Sequence, residues 1–232
     1  MRVAIMQPYF FPYIGYFQLI GAVDLFVVYD NIKYTKKGWI NRNRMLHNGT
    51  DAMFSLPLKH DSDLLDIRER QLAPDFKRDK LLNQLRGAYQ RAAHFAEVFP
   101  LIERVVRCDD DNLFGYLHHG LRHICTHLGL STPLRVSSSI DIDHQLKAQD
   151  KVIALAKAVG ATTYVNPIGG LELYSRAAFR EQGLALVFLE SRPFTYAQLG
   201  APFVPWLSII DVLMFNAIEV VRERLAGHYD WV

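Results

Sequence analysis

The chain has 232 residues, of which 50% are hydrophobic and 22% are charged, and its formal net charge at pH 7 is +2. A chain of this size and composition can bury a full hydrophobic core, so we expect a single globular domain over residues 1–232. The small net charge argues against a broad basic surface, and we therefore expect no nucleic-acid partner.

Cysteine content and the N-terminal segment indicate the compartment. Cys108 and Cys125 are too far apart for a metal-binding or redox motif and too few for a secreted disulfide scaffold. Gln7, Pro8 and Pro12 interrupt the apolar N-terminal run, which is not typical of a signal peptide. Since no run of about 18 uncharged apolar residues occurs, we expect a cytoplasmic protein without an integral membrane segment.

The first thirty residues predict a compact βαβ unit. Residues 2–7 have the pattern of a buried strand, residues 14–22 that of a short helix, and residues 24–29 that of a second strand. Such a unit implies parallel pairing of the two strands and a right-handed crossover between them.

The turn between this first strand and first helix is crowded with aromatic and polar groups. Gln7 ends the strand, and Tyr9, Tyr13 and Tyr16 follow it, with Gly15 allowing close approach of the backbone. Open α/β sheets bind ligands outside the carboxyl ends of their strands, so we predict that these four polar side chains contact substrate. An alternative is that the aromatic rings simply belong to the core.

A cationic segment, residues 33–45, follows the second strand and surrounds Trp39. Its cations include Lys36, Lys37, Arg42 and Arg44. Lys36 and Arg42 suit a phosphate or carboxylate, and Asn43 could orient it, so all three are predicted to bind substrate. A solvated basic loop is the alternative interpretation.

The remaining pattern predicts an α/β fold with a Rossmann-like, mostly parallel sheet flanked by helices. A helical region near residues 75–130 is inserted into it. Strands are predicted at 52–58, 134–138, 162–166 and 184–189, and helices at 75–107, 110–128, 147–158, from Gly170 through Phe179, and 208–225.

Two later segments supply further candidate binding residues. The third parallel strand runs into a loop with Asn166, Gly169 and Gly170, whose backbone amides could face a ligand. The alternative is that the glycines serve only the turn. Tyr196 and Gln198 could close the same crevice from the C-terminal side. Because these strand ends share one polarity, we expect one crevice at the carboxyl edge of the sheet.

Metal and acid–base groups give weaker signals. His119, His123 and His127 recur at four-residue spacing on one predicted helix face, but no further metal-binding pattern accompanies them, so we predict no metal site and no cofactor. Asp30, at the end of the second strand, is the first candidate for a catalytic base.

Four motifs carry a resemblance to a known family. They are QPYFFPYIGYFQLI near the N-terminus, GWINRNRM, YVNPIGG and PWLSIIDVLM near the C-terminus. Together they resemble the WbqC-like family, which is associated with bacterial surface-polysaccharide loci such as O-antigen clusters. This resemblance implies a role in sugar or glycan modification.

A fainter resemblance concerns the start of the first helix. The layout of a strand, a turn and then Tyr13-Ile14-Gly15-Tyr16 is similar to that of nucleotidylyltransferases, which carry His-x-Gly-His at this place. Tyrosine is neutral near pH 7, so the stabilisation that the histidines give to a transferring phosphate is missing here.

These observations favour a transferase that acts on an amino sugar or nucleotide-linked sugar, by acyl or aminoacyl transfer, with a small-molecule or carrier-linked substrate. The alternatives are a nucleotidylyltransferase-like enzyme with a degenerate signature, a non-catalytic glycan- or nucleotide-binding module, and a scaffold for a biosynthetic complex. The sequence leaves the oligomeric state open, including a homo-oligomer.

Overall fold

A computed structural model describes residues 1–200 and 202–232 of the protein. It contains eight strands: β1 (Arg2–Met6), β2 (Leu25–Val28), β3 (Arg42–His47), β4 (Thr50–Ser55), β5 (Leu134–Val136), β6 (Thr163–Pro167), β7 (Ala185–Ser191) and β8 (Tyr229–Trp231). β3 and β4 form a separate antiparallel hairpin, and the other six strands form one sheet.

The six-stranded sheet has the order β5-β2-β1-β6-β7-β8, in which all pairs are parallel except β7 with β8. Val3 of β1 pairs with Leu25 on one side and with Tyr164 on the other. The chain therefore builds outward from β1 first through β2 and β5 and then through β6 and β7. This reversal creates a switch point between β1 and β6, where open α/β sheets bind ligands.

Within the described residues, eight α-helices accompany the strands: α1 (Ile14–Gly21), α2 (Arg78–Tyr89), α3 (Phe95–Val106), α4 (Leu113–Leu128), α5 (Ala148–Ala158), α6 (Arg176–Glu181), α7 (Ile209–Phe215) and α8 (Ile218–Gly227). Short 3₁₀ turns lie at Ile67–Glu69, Ser137–Ser139 and Ile168–Leu173. None of the helices in the described part of the chain has both the length and the apolar character needed to cross a membrane.

Two hydrophobic clusters cover the two faces of the sheet. The larger contains Phe17 of α1, Phe26 of β2 and Tyr116 of α4, so the inserted helices share a continuous core with the sheet. The smaller contains Ile153 of α5 and Phe179 of α6, which cover the opposite face. The predicted α/β class, with its mostly parallel Rossmann-like sheet and flanking helices, is confirmed.

Tertiary contacts divide two segments that were each predicted to be one helix. The predicted helix at 75–107 is interrupted between α2 and α3, where the backbone N–H of His94 donates to the carbonyl oxygen of Met214 on another helix. The predicted helix at 208–225 ends early because Asn216 is extended, and its side-chain Nδ2 donates to the carbonyl oxygen of Val212. The Asn216 backbone N–H also donates to the Val212 carbonyl oxygen, at 3.1 Å, and makes the last helical hydrogen bond.

The cationic segment and the C-terminus also depart from prediction. Residues 42–45 of the cationic segment belong to β3. The strand predicted at 52–58 is β4, which begins two residues and ends three residues earlier, at Thr50–Ser55. β8 was not predicted, because three residues carry too short a pattern to distinguish a strand from a loop.

Candidate functional site

A cavity of about 370 Å³ opens at the carboxyl edge of the sheet, beside the switch point. Its walls come from the turn after β1, from β3 and the segment before it, from the loop after β6 and from the end of β7. Trp206, three residues before α7, completes the wall. The lining residues are Tyr9, Pro12, Tyr13, Trp39, Asn43, Arg44, Ile168, Leu189, Glu190, Ser191 and Trp206.

Aromatic rings form much of this wall. Trp39 and Trp206 remain 41% and 45% exposed, which is unusual for such large side chains. The Tyr13 ring meets Trp206 edge-on with a centroid separation of 6.2 Å. Burial raises the pKa of Tyr9 and of Tyr13, so both phenols are neutral at pH 7. The wall therefore offers flat apolar faces with uncharged hydroxyl tips, which suits a sugar ring or a nucleotide base.

Two residues beside the cavity have left-handed backbone, Phe11 with φ of 44° and Trp206 with φ of 58°. Such a conformation costs about 1–3 kcal/mol for a non-glycine residue and is commonest at functional sites. The Phe11 carbonyl oxygen accepts hydrogen bonds from Asn43 Nδ2 and Ser208 Oγ, both at 2.8 Å. The Trp206 carbonyl oxygen accepts one from Arg44 Nη2 at 3.1 Å. Side chains of β3 and of the α7 cap thus hold the strained segments in place.

The cavity wall carries one cation, Arg44, and one carboxylate, Glu190. The Arg44 guanidinium lies over the Trp39 ring, 5.7 Å from its centroid, and Arg44 Nη1 is 3.5 Å from Asp51 Oδ2. Arg44 Nε is buried without a hydrogen-bond partner. No described residue forms an ion pair with Glu190.

Three predicted binding residues line the cavity: Tyr9, Tyr13 and Asn43. Asn43 is only 5% exposed, and its amide is engaged with the backbone of the aromatic turn and of Arg44. Asn43 therefore shapes the wall, whereas the two tyrosines present their rings to the cavity.

Two more predicted residues support the turn from behind. Tyr16 is 3% exposed, and its hydroxyl donates to the carbonyl oxygen of Gln7 at 2.9 Å. Gln7 itself is half-buried, and neither residue is among those that line the cavity. Their predicted contact with substrate stays a prediction.

The predicted cations Lys36 and Arg42 have partners elsewhere. Lys36 Nζ lies 2.8 Å from Asp63 Oδ1 in an exposed ion pair. Arg42 folds back on its own loop, where Nε and Nη2 donate to the carbonyl oxygens of Gly38 and Lys37 at 3.0 and 2.6 Å. Neither cation lines the cavity.

The loop after β6 is organised by Asn166, which is 4% exposed. Its Oδ1 accepts from the Tyr164 hydroxyl at 3.1 Å, and its Nδ2 donates to the carbonyl oxygen of Pro167. A Cβ at Gly170 would lie 1.7 Å from this Nδ2, so glycine is required there. A Cβ at Gly169 would have no atom within 4 Å. The loop then brings Ile168 into the cavity wall.

Tyr196 and Gln198 bind a buried carboxylate rather than the cavity. The Tyr196 hydroxyl and Gln198 Nε2 both donate to Asp211 Oδ2 at 2.7 Å, and the Tyr89 hydroxyl donates to Oδ1 at 3.0 Å. Burial raises the pKa of Asp211, and the three hydrogen bonds offset part of this effect. Asp211 therefore fastens the segment before α7 to α2.

Asp30 lies at the end of β2 and is 2% exposed. Its Oδ1 accepts from Ser137 Oγ and the Ser138 backbone N–H, and its Oδ2 accepts from Ser138 Oγ at 2.6 Å. These contacts connect the ends of β2 and β5, and Asp30 is not among the residues that line the cavity. Its role as a base stays a prediction.

The helical histidines do not form a complete metal site. The His119 and His123 rings are 4.3 Å apart between centroids. Over residues 1–200 and 202–232, however, no three His, Cys, Asp or Glu side chains are grouped so that they could hold a metal ion.

Sequence reasoning missed the contribution of β7. The predicted strand ended at residue 189, one residue before Glu190, whereas β7 continues through Ser191. The signal available was position alone, since polar residues at the carboxyl end of a parallel strand point to the ligand-binding edge.

Comparison with known proteins relates this sequence to a protein family. A family model described as the WbqC-like protein family matches residues 7–223. A relative from Mycobacterium tuberculosis, named "Uncharacterized protein Rv1507c", is 29% identical over 218 residues, which cover 93% of each chain. No solved structure shows a significant match to this chain.

Proposed function

Because this chain belongs to the WbqC-like protein family, we propose that it is a transferase of bacterial surface-polysaccharide biosynthesis. Its substrate is an amino sugar or a nucleotide-linked sugar, and it moves an acyl or aminoacyl group onto that sugar. The family resemblance supplies the biological context, and the cavity at the sheet edge supports the choice of ligand.

The observation that carries the proposal is the aromatic cavity beside the β1/β6 switch point. Its volume of about 370 Å³ suits a small ligand. Tyr9, Tyr13, Trp39 and Trp206 give it flat apolar surfaces, on which a sugar ring can place its C–H face. The hydroxyl groups of the sugar then meet the polar groups of the wall.

Acyl transfer to the sugar amine defines what the site must do. The amine nitrogen bonds to the carbonyl carbon of an activated ester or thioester, and the bond from that carbon to the leaving group breaks. The proton lost by the nitrogen passes to a base and then to the leaving group. Asp30 is the base expected from the sequence, and Glu190 is the carboxylate that lines the cavity.

The first test is a thermal-shift panel of amino sugars, nucleotide-sugars, nucleoside triphosphates and acyl-CoA. We expect amino sugars or nucleotide-sugars to raise the melting temperature of the wild type, because a ligand that binds only the native state stabilises it. The shift should disappear in Trp39→Ala and persist in Trp231→Ala, a matched control that is 44% exposed on β8 and does not line the cavity.

Mass spectrometry then identifies the reaction. An amino sugar that binds should gain the mass of the acyl group when an activated donor is added. Asp30→Asn should abolish turnover while affinity is kept if Asp30 is the base, and Glu190→Gln should abolish turnover if Glu190 is the base. Stabilisation by nucleoside triphosphates with release of pyrophosphate would instead establish nucleotidyl transfer, and an absence of any shift or product would defeat the proposal.

A further inference from the structure

We infer that the cavity binds a ligand with two opposite charges, an anionic group held by Arg44 and a primary ammonium held by Glu190. The chemical class is an amino sugar with a free amine that also carries a phosphate, either as a simple sugar phosphate or within a nucleotide-linked sugar. This inference rests on the proposed function and specifies its substrate.

Arg44 is the cation that faces the cavity. Its Nη2 donates to the carbonyl oxygen of Trp206, and its guanidinium lies over the ring of Trp39. Since both tryptophans line the cavity, the guanidinium is held at the wall between them. The side chain is 29% exposed, so a ligand can reach it.

Within the described residues, the Arg44 guanidinium has no close carboxylate partner. Asp51 Oδ2 is 3.5 Å from Nη1, beyond the usual hydrogen-bond length, and Asp51 is half exposed. Such an exposed ion pair contributes little to the stability of the fold. Arg44 Nε is removed from water and has no acceptor. A partly desolvated cation without a close carboxylate partner is stabilised when an anion binds, and guanidinium geometry suits a phosphate.

Glu190 is the matching unpaired carboxylate. The nearest cation along the strand, Arg192, is already engaged by Asp230 through its Nε and Nη2. In the antiparallel pair of β7 and β8, Glu190 stands directly opposite Asp230, whose charge is compensated by Arg192. Glu190 is therefore left without a cation of its own in the described residues, and a bound ammonium would supply one.

Opposite charges in one wall select among ligands. A nucleoside triphosphate brings several negative charges next to Glu190 and supplies no ammonium. An N-acylated sugar phosphate satisfies Arg44 but leaves Glu190 unpaired. A sugar with both a free amine and a phosphate complements both residues, and its acylated product loses the contact with Glu190, which favours product release.

Three probes separate the two contacts: glucosamine 1-phosphate, glucosamine, and N-acetylglucosamine 1-phosphate. Calorimetry should show that the wild type binds the first at least tenfold more tightly than either of the others. In Arg44→Gln, removal of the phosphate should no longer weaken binding, whereas removal of the amine still should. In Glu190→Gln, removal of the amine should no longer weaken binding, whereas removal of the phosphate still should.

The controls test charge and folding. Arg122→Gln on α4 and Glu223→Gln on α8 change exposed residues away from the cavity wall and should bind as the wild type does. Arg44→Lys keeps the positive charge and should retain part of the preference for phosphate even if Arg44→Gln unfolds.

Failure of this inference is distinguishable from failure of the proposed function. If the three probes bind equally and binding still depends on Trp39, the cavity binds sugars but the charge assignment is wrong. If no probe binds while all variants remain folded, the charge assignment is overturned, and if the nucleotide-sugars of the thermal-shift panel also give no shift, the proposed function is overturned with it.

Discussion

At the scale of single residues, Gly15 decides where Tyr13 can lie in the cavity wall. A Cβ at Gly15 would stand 2.4 Å from Tyr13 Cε2 and 2.6 Å from its hydroxyl oxygen. We expect Gly15→Ala to displace this ring, to lower the free energy of unfolding by about 1–3 kcal/mol, and to weaken ligand binding. Denaturant titration and calorimetry measure the two effects.

A second glycine provides the control. Gly87 is an exposed residue inside α2, and a Cβ there would meet nothing within 4 Å. Gly87→Ala should therefore raise stability by about 0.5–1 kcal/mol, through the better helix propensity of alanine, and leave ligand binding unchanged. Equal responses of the two variants would show that the ring of Tyr13 does not depend on Gly15.

Residue identity could be predicted better than residue placement. The aromatic turn with Tyr9 and Tyr13 was identified from the sequence and lines the cavity. Arg42 and Arg44 are two residues apart on one strand, so their periodicity cannot distinguish them. The partner of Arg44 is the Trp206 carbonyl oxygen, 162 positions along the chain, and only the fold brings it near.

At the scale of elements, Asp211 joins α7, the segment before it and α2 through its three hydrogen bonds. Burial raises the pKa of this carboxyl above its usual value of 3.8. The folded state therefore penalises the ionised form. The protonated Asp211 carboxyl therefore contributes stability that is fully present below the unfolded-state pKa. This stability is lost as pH rises through the raised folded-state pKa.

Asp211→Asn removes this titration. We expect the free energy of unfolding of the wild type, relative to Asp211→Asn, to fall between about pH 4 and the raised pKa, with a slope of up to about 1.4 kcal/mol per pH unit. Denaturant titrations of both proteins from pH 3 to 7 measure this difference, in which distant carboxyl groups cancel. A difference that is constant or rises with pH contradicts the assignment.

Local patterns specify elements well where the pattern is long and poorly where distant contacts intervene. β1, α1 and β2 lie within one or two residues of their predicted positions, because a buried strand and an apolar helix face are visible in the sequence. The end of α7 is different. The helix ends before Asn216, whose backbone is extended, and an asparagine within a helical pattern does not by itself predict that conformation.

At the scale of the whole molecule, hydrogen bonds and hydrophobic packing join the inserted helices to the β3–β4 hairpin, to α7 and to the sheet. Tyr89 of α2 accepts from the Leu46 backbone N–H at 2.9 Å and donates to Asp211, and it is fully buried. The larger hydrophobic cluster also runs from α1 and β2 through the inserted helices without a break. We therefore predict that the inserted helices and the sheet unfold as one cooperative unit.

We expect guanidinium unfolding to follow one transition when it is observed by tryptophan fluorescence and by far-UV circular dichroism. The tryptophans, Trp39, Trp206 and Trp231, lie outside the inserted helices, whereas the dichroism reports strongly on them, so coincident midpoints mean that both parts unfold together. Tyr89→Phe leaves a buried N–H and a buried carboxylate each without one partner. We expect Tyr89→Phe to lower the free energy of unfolding by about 1–3 kcal/mol. Both midpoints should therefore shift to lower guanidinium concentration by the same amount. Separate midpoints, or a shift of only the dichroism curve, would show that the inserted helices form an independent domain.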